Sequence, residues 1–400
     1  LTTVERGSMP TAGGTAMGAK KDAKRAKAEA KARAEALSRA KAIAEDARAK
    51  KRKKKEKKGT GVRTPSEPRL SGPSRDWDLD PRCALAVGPD FDLATVARDA
   101  TPGWSGGRKA AEKALSSRAE DFSELQERLY ASSKGEGRDC VLLIIQGLDT
   151  AGKGGIVRHV VGQVDPQGVA LTAFKAPTEE ERAHDFLWRV RPRLPRPGMI
   201  GVFDRSHYED LLVPTAAALS GESSRFSADE DELNRRYHDI YDMEVEAIRS
   251  GTRVIKICLV ISYEEQGARL LERLERPDKH WKFSMGDLDT RDRWDAYQRA
   301  YTEVISRTST RMAPWYVVPA DHKWYARLAV QEILVRALEE IDPKWPAADF
   351  DVEEAKRRLD AQRSPESLHA HRNERLAAQA VPESASASTI VLEPLGPIGI

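Results

Sequence analysis

The chain has 400 residues, of which 40% are hydrophobic and 32% charged, enough for one large domain or two ordinary ones. Its three cysteines are far apart and form no Cys-x-x-Cys pair, which argues against a disulfide framework and against a zinc site. No apolar run approaches the roughly 20 residues of a membrane span and no signal peptide is visible, so we expect a cytoplasmic protein without a membrane partner.

The formal net charge of +3 conceals a basic N-terminal arm. Between residues 18 and 58 there are 18 Lys and Arg but only 6 Asp and Glu, so the rest of the chain carries a net charge of about −9. We expect residues 1–58 to be disordered or loosely helical, either as a solvated tail or as an arm that binds a polyanion. Residues 59–80 are rich in Gly, Pro and Ser, which predicts a linker.

The first strong motif is a buried strand that leads into a glycine-rich turn. The apolar run 140–146 is followed by Gly-Leu-Asp-Thr-Ala-Gly-Lys-Gly-Gly, in which Gly147 and Lys153 have the spacing of a P-loop. Glycines let backbone N–H groups converge on a phosphate, and the lysine adds a mobile ammonium. Gly154 replaces the Ser or Thr that usually holds Mg²⁺, so Asp149 is the nearest alternative ligand. The competing interpretation is an ordinary turn with a surface lysine.

Strands and helices are predicted to alternate along the rest of the chain. Further strands are expected over residues 169–174, 199–204, 252–261 and 315–318. Helices are expected over residues 108–130, 156–164, 179–190, 229–249, 262–276, 291–307 and 323–341, with a short one near 352–359. This order indicates an α/β domain over 81–345 with a parallel sheet and helices on both faces, followed by a flexible tail over 346–400. Ligands of such folds bind at the carboxyl ends of the strands.

An acidic residue closes the predicted strand 199–204. Asp204 occupies the position at which a Walker B carboxylate reaches a phosphate-bound Mg²⁺. Many strands end in an Asp that only caps the next helix, so Asp204 alone would be weak evidence for a metal site. The P-loop upstream strengthens the prediction. His207 lies close by in the sequence, and we expect it to be a hydrogen-bonded structural residue rather than a proton shuttle.

A cluster of cations follows the predicted strand 252–261. Arg269, Arg273 and Arg276 are spaced to share one helix face, and Lys279 and Lys282 follow in the next loop. Five cations on one segment repel one another unless an anion binds between them, which favours a lid that closes over phosphates. A salt-bridged, solvated helix is the alternative.

Several motifs together resemble the type-2 polyphosphate kinases, in the branch of polyphosphate:nucleotide phosphotransferases. They are QGLDTAGKGG at 146–155, DPQG at 165–168, FKAP at 174–177, HDFLWR at 184–189, FDRSHYED at 203–210, ERLERPDKHWKFS at 272–284 and APWYVVPAD at 313–321. The resemblance extends over about residues 91–346 and implies a P-loop kinase-like fold, akin to thymidylate kinase, with a helical lid. It also implies reversible, Mg²⁺-dependent phosphoryl transfer between inorganic polyphosphate and a nucleoside mono- or diphosphate such as AMP, ADP or GDP.

The resemblance also implies roles for individual residues. Asp149 and Lys153 are the Walker A acid and lysine, Asp204 and Arg205 the Walker B pair, and Arg273 the catalytic lid arginine. Asp149 and Asp204 would hold Mg²⁺, for which Mn²⁺ is a possible substitute. The expected phosphate-binding residues are Gly147, Gly152, Gly154, Gly155, Arg158, Arg276, Lys279 and Lys282. The expected nucleotide-binding residues are Asp185, Arg189, Tyr208 and Glu209.

Two positions depart from the related branch of the family. That branch often has Asp after the Walker A lysine and Asn before the Walker B arginine, where this chain has Gly154 and Asp204. The nucleotide preference therefore stays open. The resemblance suggests a homo-oligomer, either a dimer or a tetramer. Two other functions remain as alternatives: an ATP-dependent P-loop kinase of a small metabolite, and a polyanion-binding protein with an inactive P-loop.

Overall fold

A computed structural model describes residue 70 and residues 72–221 and 229–379 of the chain, with side chains up to residue 375. The predicted basic arm, most of the predicted linker and the last part of the predicted tail lie outside these residues. The described residues belong to one compact unit, which begins at Leu70.

The folded part begins before residue 81, where we expected the domain to start. Trp77 forms a β-bridge with Trp104, and the two rings meet edge to face with their centroids 5.1 Å apart. Asp80 then caps the first helix through its side chain, which accepts from Arg82 N. The predicted linker 59–80 is therefore too long at its C-terminal end, because its aromatic residue packs against the core.

A six-stranded sheet forms the centre of the molecule. Its strands are β1 Ala86–Val87, β2 Cys140–Gln146, β3 Val169–Ala173, β4 Ile200–Asp204, β5 Thr252–Val260 and β6 Trp315–Pro319. Their order across the sheet is β1-β6-β5-β2-β4-β3, and all neighbouring pairs are parallel except the antiparallel edge pair β1 and β6. The parallel sheet is confirmed, and the two-residue strand β1 was not predicted, because a segment so short carries no periodicity.

Helices cover both faces of the sheet, and two more follow at the C-terminal end without packing in either core. They are α1 Pro81–Leu85, α2 Arg108–Ser132, α3 Lys153–His159, α4 Glu179–Arg182, α5 Glu209–Leu219, α6 Glu230–Arg249, α7 Tyr263–Glu275, α8 Met285–Asp292, α9 Trp294–Thr308, α10 Lys323–Ile341, α11 Val352–Gln362 and α12 Pro365–Gln379. A short 3₁₀ segment, Pro277–Lys282, joins α7 to α8. In the described part of the chain, none of these helices combines the length and the apolar character that a bilayer crossing demands.

Strand β2 shows how the sheet separates two hydrophobic cores. All seven of its residues are buried. Val141, Leu143 and Ile145 pack with α2, α3 and α10, whereas Leu142 and Ile144 pack with α5, α6 and α9. Successive side chains of a strand point to opposite faces, so a strand that is apolar throughout must be covered on both sides. This arrangement confirms the expected layers of helices on both faces.

Three predicted helices are interrupted. The helix predicted over 156–164 ends at His159, and a 3₁₀ turn over Val161–Gln163 follows it. The helix predicted over 179–190 ends at Arg182, because the side chain of Asp185 accepts from Leu187 N and starts a separate turn. The helix predicted over 291–307 is split between α8 and α9 at Arg293, whose backbone leaves the helical region with ψ 26°. At the C-terminal end, the expected short helix is confirmed as α11, and α12 follows it although we predicted none there.

Candidate functional site

The P-loop leaves the carboxyl end of β2 in a conformation that its glycines make possible. Gly147 has φ 144° and Gly152 has φ 119°, both in a region that side chains disfavour. A Cβ atom at Gly147 would lie 2.5 Å from the Leu259 carbonyl oxygen, so the loop packs against β5 only because this residue has none. Helix α3 starts at Lys153, earlier than predicted, and its first turn adjoins the loop.

Lys153 ties the two ends of the loop together. Its Nζ donates to the carbonyl oxygens of Gly147 at 2.6 Å and Leu148 at 3.3 Å. The side chain is half-buried. Burial lowers the pKa of Lys153, and the nearby Asp149 carboxylate partly opposes this effect. The ammonium therefore lies where phosphate oxygens could replace the two carbonyls.

The two predicted metal ligands lie beside this lysine. Strand β4 is aligned so that Asp204 lies next to Ile145 of β2, which brings the Walker B position to the mouth of the P-loop. Asp149 Oδ1 accepts from the Arg205 guanidinium at 2.6 Å. Burial disfavours the charge of Arg205, but Glu209 and Asp149 outweigh it and raise the pKa of the guanidinium.

The Asp204 carboxylate has no hydrogen bond or ion pair to another described side chain, although it is half-buried. Among the described residues no group of three or more His, Cys, Asp or Glu could hold a metal by itself. Mg²⁺ usually takes only one or two carboxylates and fills its other positions with phosphate oxygens and water. Asp204 and Asp149 therefore fit a hard divalent cation that arrives with phosphate.

Helix α7 and the 3₁₀ segment Pro277–Lys282 correspond to the predicted lid. Together with the P-loop they line a cavity of about 250 Å³. Within the described part of the chain, six cationic side chains line it and only one acidic one, Glu272. The cations are Arg269, Arg273, Lys279, Lys282, Lys323 and Arg327. Gly152 and Gly155 form part of the opposite wall. A cavity with this excess of positive charge is suited to a polyanion.

The lid cations differ in what they contact. Arg273 donates to the Lys282 carbonyl oxygen at 3.1 Å and to Asp287 Oδ2 at 3.2 Å, so it faces the cavity while anchored at its rim. Arg269 donates to the carbonyl oxygens of Thr150, Ala151, Ala320 and Asp321 and pairs with Glu265. Arg269 thus ties the lid helix α7 to the P-loop and to the end of β6.

Four predicted phosphate-binding residues do not line this cavity, and Gly147, at the start of the P-loop, is one of them. Arg276 is committed to Glu272 at 3.1 Å and Asp278 at 2.9 Å, on the outside of the lid. Arg158 is exposed on α3 and lies outside the cavity wall. Gly154 is also exposed, and a Cβ atom there would meet nothing within 4 Å. Sequence spacing placed these residues near the site but did not show which way they point.

Tyr208, one of the predicted nucleotide-binding residues, points into the core and away from the site. Its ring is fully buried, its hydroxyl donates to Glu244 Oε1 at 2.7 Å, and Lys256 Nζ donates to that hydroxyl at 3.2 Å. Lys256 also pairs with Glu244 at 2.8 Å. Tyr208 therefore belongs to a buried polar network beneath the site and has no free group for a ligand.

The other three predicted nucleotide-binding residues are partly accessible. Glu209 accepts from the Gln146 amide nitrogen at 3.0 Å, in the amide orientation that also satisfies Ser206, and burial raises its pKa. Arg189 donates to the Lys175 carbonyl oxygen at 2.8 Å. Asp185 is about half exposed. Arg189 and Asp185 lie near the end of β3, away from the cavity under the lid.

Lys323 and Arg327 were missed by the sequence analysis. They lie on the first turns of α10, about 170 residues after the P-loop, and no local motif marks them. The available signal was their position: a helix that follows β6 must begin at the carboxyl edge of the sheet, where ligands bind.

In the described part of the chain His207 is not hydrogen-bonded, contrary to our prediction. Neither ring nitrogen has a partner among the described residues, and the ring is fully buried. Burial, with a smaller contribution from Lys256, lowers the pKa of His207 to about 3. The ring therefore stays neutral at physiological pH.

This pKa predicts an acid sensitivity of the fold. Because the folded pKa lies below the ordinary value, the unfolded chain binds the proton first, and the free energy of unfolding must fall as the pH drops from about 6.5 towards 3. We expect His207 to account for a loss of about 2 kcal/mol between pH 7 and pH 5. Chemical denaturation of the wild type and of His207→Leu at both pH values measures it. Equal losses in the two proteins would contradict the assignment.

Comparison with known proteins agrees with this geometry. The family model for polyphosphate kinase 2 (PPK2) matches residues 106–346, more than half of the chain. The AMP/ADP-polyphosphate phosphotransferase of Meiothermus ruber is 42% identical over 262 residues, which cover 65% of this chain and 94% of that protein. The ADP-polyphosphate phosphotransferase of Rhodopseudomonas palustris is 41% identical over 240 residues, 58% of this chain and 80% of that protein.

A solved structure is similar as well. The crystal structure of polyphosphate kinase 2 from Arthrobacter aurescens TC1 superposes with a TM-score of 0.68 and 48% sequence identity. The match covers 73% of this chain and 100% of that one.

Proposed function

This chain belongs to the polyphosphate kinase 2 family, and we propose on that premise that it catalyses reversible phosphoryl transfer between inorganic polyphosphate and a nucleoside mono- or diphosphate. AMP and ADP are the first candidate acceptors, because the Meiothermus ruber relative is named for both. GDP remains a further candidate.

The observation that carries the proposal is the cavity between the P-loop and the lid. Its described wall has six cations and one acid, and the P-loop glycines and the lid arginine face each other across it. A polyphosphate chain is suited to this wall, because its successive phosphates can contact cations along its length. The alternative of an ATP-dependent metabolite kinase also places phosphates in this cavity, so the assay without ATP separates the two.

Residues of the cavity wall and of the adjoining P-loop can stabilise the transfer without a covalent intermediate. An oxygen of the terminal nucleotide phosphate bonds to the terminal phosphorus of the polyphosphate, and the bond from that phosphorus to its bridging oxygen breaks. The shortened chain leaves with the electron pair of that bond. The attacking oxygen is already an anion, so no general base is required. Lys153, Arg205 and Arg273 are positioned to stabilise the charge on the transferring group.

We propose that the divalent metal of the reaction is Mg²⁺, held by Asp149 and Asp204. When bound, it would neutralise phosphate charge and orient the donor and acceptor oxygens. Asp204 offers an oxygen without a described partner, and Asp149 can exchange its Arg205 contact for the cation. Mn²⁺, which has similar ligand preferences, is a possible substitute.

The metal assignment predicts the behaviour of Asp204→Asn. An amide keeps the shape of the side chain but loses its charge, so we expect the metal concentration for half-maximal rate to rise at least about tenfold. Titrations with Mg²⁺ and Mn²⁺ measure this, and partial recovery with Mn²⁺ is expected. Asp90→Asn, which changes an exposed acid outside the cavity, should titrate like the wild type. An unchanged titration of Asp204→Asn would remove this residue from the metal site.

One assay tests the function directly. Purified protein is incubated with Mg²⁺, long-chain polyphosphate and AMP, ADP or GDP in the absence of ATP, and products are separated by ion-exchange chromatography. We expect new nucleotide phosphoanhydride bonds with at least one acceptor. Absence of product with all three acceptors, in both directions of the reaction, would refute the proposal.

Three parts of the proposal rest on the sequence rather than on the described residues. We propose a cytoplasmic homo-oligomer, a dimer or tetramer, whose arm over residues 1–58 binds a polyanion. Light scattering after size exclusion measures the assembly. Deletion of residues 1–60 should barely change turnover. An inactive truncated protein would instead support the alternative in which the arm carries the function.

A further inference from the structure

A second cavity, of about 510 Å³, adjoins the one under the lid. Lys323 and Arg327 line both cavities, so the two are joined along the first turns of α10. The other walls of the second cavity come from the start of α2, including Arg108, and from Trp324. Of the motifs noted in the sequence, only the one at 313–321 reaches this space, through Asp321, and no step of the proposed reaction uses it.

The acidic residues in the second cavity are already engaged. Glu112 pairs with Arg108 at 2.9 Å, and Glu265 pairs with Arg269 at 2.6 Å. Asp321 Oδ1 accepts from Ser262 N at 2.9 Å. Lys323 and Arg327, by contrast, have no hydrogen bond or ion pair from their side chains to any described residue. Lys323 and Arg327, at the junction with the first cavity, are therefore the cations of this lining that have no described side-chain partner, whereas Arg108 is paired.

The position of these two cations is unfavourable in the free protein. They are four residues apart on one helix face, where like charges repel. Lys323 is the first residue of α10, where the helix dipole also disfavours a cation, and its N-cap residue His322 makes no side-chain capping bond. Arg327 is half-buried, and burial together with the Arg108 and Arg269 charges lowers its pKa. An anion at the junction would relieve all three costs.

We propose that Lys323 and Arg327 form a distal subsite for polyphosphate, which holds the phosphates remote from the reacting unit as the chain passes from the first cavity into the second. This inference rests on the proposed function and adds to it a preference for long chains. A donor short enough to fit under the lid reaches the P-loop and Arg273 but not the whole of the junction. A longer donor engages both, so its additional phosphates contribute to binding.

The test compares donors of two lengths. Michaelis constants for long-chain polyphosphate and for inorganic triphosphate are measured with the wild type and with the double variant Lys323→Ala, Arg327→Ala. We expect the KM for the long chain to rise at least about tenfold, as for the loss of one or two charge-assisted contacts. The KM for triphosphate should rise by a smaller factor. Lys134→Ala, which removes an exposed cation just beyond the end of α2, is the matched control and should keep the wild-type ratio of the two constants.

Three results would overturn the inference. An unchanged KM for the long chain would show that Lys323 and Arg327 do not bind polyphosphate. An equal rise in KM for both donors would show that the two cations attract any anion and do not recognise the distal part of the chain. The third is a charge-preserving variant, Lys323→Arg with Arg327→Lys, that shows the same loss as the double alanine variant. If the double alanine variant does not fold, Arg327→Gln and calorimetric binding of long-chain polyphosphate give the same comparison. If the wild type transfers phosphate from neither donor, the proposed function itself is refuted. This outcome differs from the three above, in which the wild type is active.

Discussion

Replacing Arg273 with alanine is expected to lower kcat by about 10³-fold or more, as for the loss of an arginine finger. The guanidinium faces the cavity opposite the P-loop and is held at the rim by Asp287 and the Lys282 carbonyl oxygen. Its charge matters most when negative charge spreads over the transferring phosphoryl group. We therefore expect a fall in kcat with little change in the KM for the nucleotide, measured in the polyphosphate assay.

Arg273→Lys separates geometry from charge. A lysine keeps the positive charge but loses the planar fork that donates to two oxygens, so we expect an activity between those of the wild type and Arg273→Ala. Arg276→Ala is the matched control, because this arginine is one turn further along the lid and is committed to Glu272 and Asp278. It should change kcat less than about threefold. Equal effects at the two positions would show that the lid acts only through its total charge.

Replacing Lys153 with alanine is expected to lower kcat by about 10²- to 10³-fold, the range for loss of one preorganised charge in an active site. The ammonium lies near Asp149 and Arg205, and no other described cation donates to the two loop carbonyl oxygens that it contacts. Lys134→Ala should remain close to the wild type. Near-normal turnover of Lys153→Ala would show that the glycine-rich turn does not act as a P-loop.

The pH dependence of this residue provides a second measurement. Because burial lowers the pKa of Lys153, its charge is lost at a lower pH than that of an ordinary lysine. The value of kcat/KM for polyphosphate should therefore fall on the alkaline side as Lys153 deprotonates in the free enzyme. Lys153→Arg keeps its charge, so its profile should extend to higher pH even if its rate is reduced. An alkaline limb at the same pH in both proteins would assign that limb to another group.

Much of the fold and part of the site could be predicted because their signals are local. The apolar run before Gly147 and the acid that ends β4 each identify an element and its direction in the sheet. Parallel strands then bring their carboxyl ends to one edge, as the alignment of Asp204 beside Ile145 shows. The lid cations Lys279 and Lys282 were predicted for a similar reason, since their charges lie close together in the sequence.

The errors in the predicted site concern the direction in which a side chain points and the contribution of residues far away in the sequence. Tyr208 lies within a motif of site residues, yet its hydroxyl turns inward to Glu244, and a motif does not show on which side of a turn a residue packs. Arg276 shares a helix face with Arg273 by spacing, but two nearby acids hold it outside. Lys323 and Arg327 reach the site only through the order of the strands, because β6 and β2 are separated in the sheet by β5 alone.

The contact between Asp149 and Arg205 has a consequence for the order in which ligands assemble. While the guanidinium occupies Asp149, a lone divalent ion meets a carboxylate whose charge is already cancelled, and it must displace a cation of the same site. An incoming phosphate gives Arg205 a new anion to contact and so releases Asp149. Metal and phosphate should therefore bind cooperatively, each raising the affinity of the site for the other. In the absence of phosphate we expect the affinity for the metal to be weak.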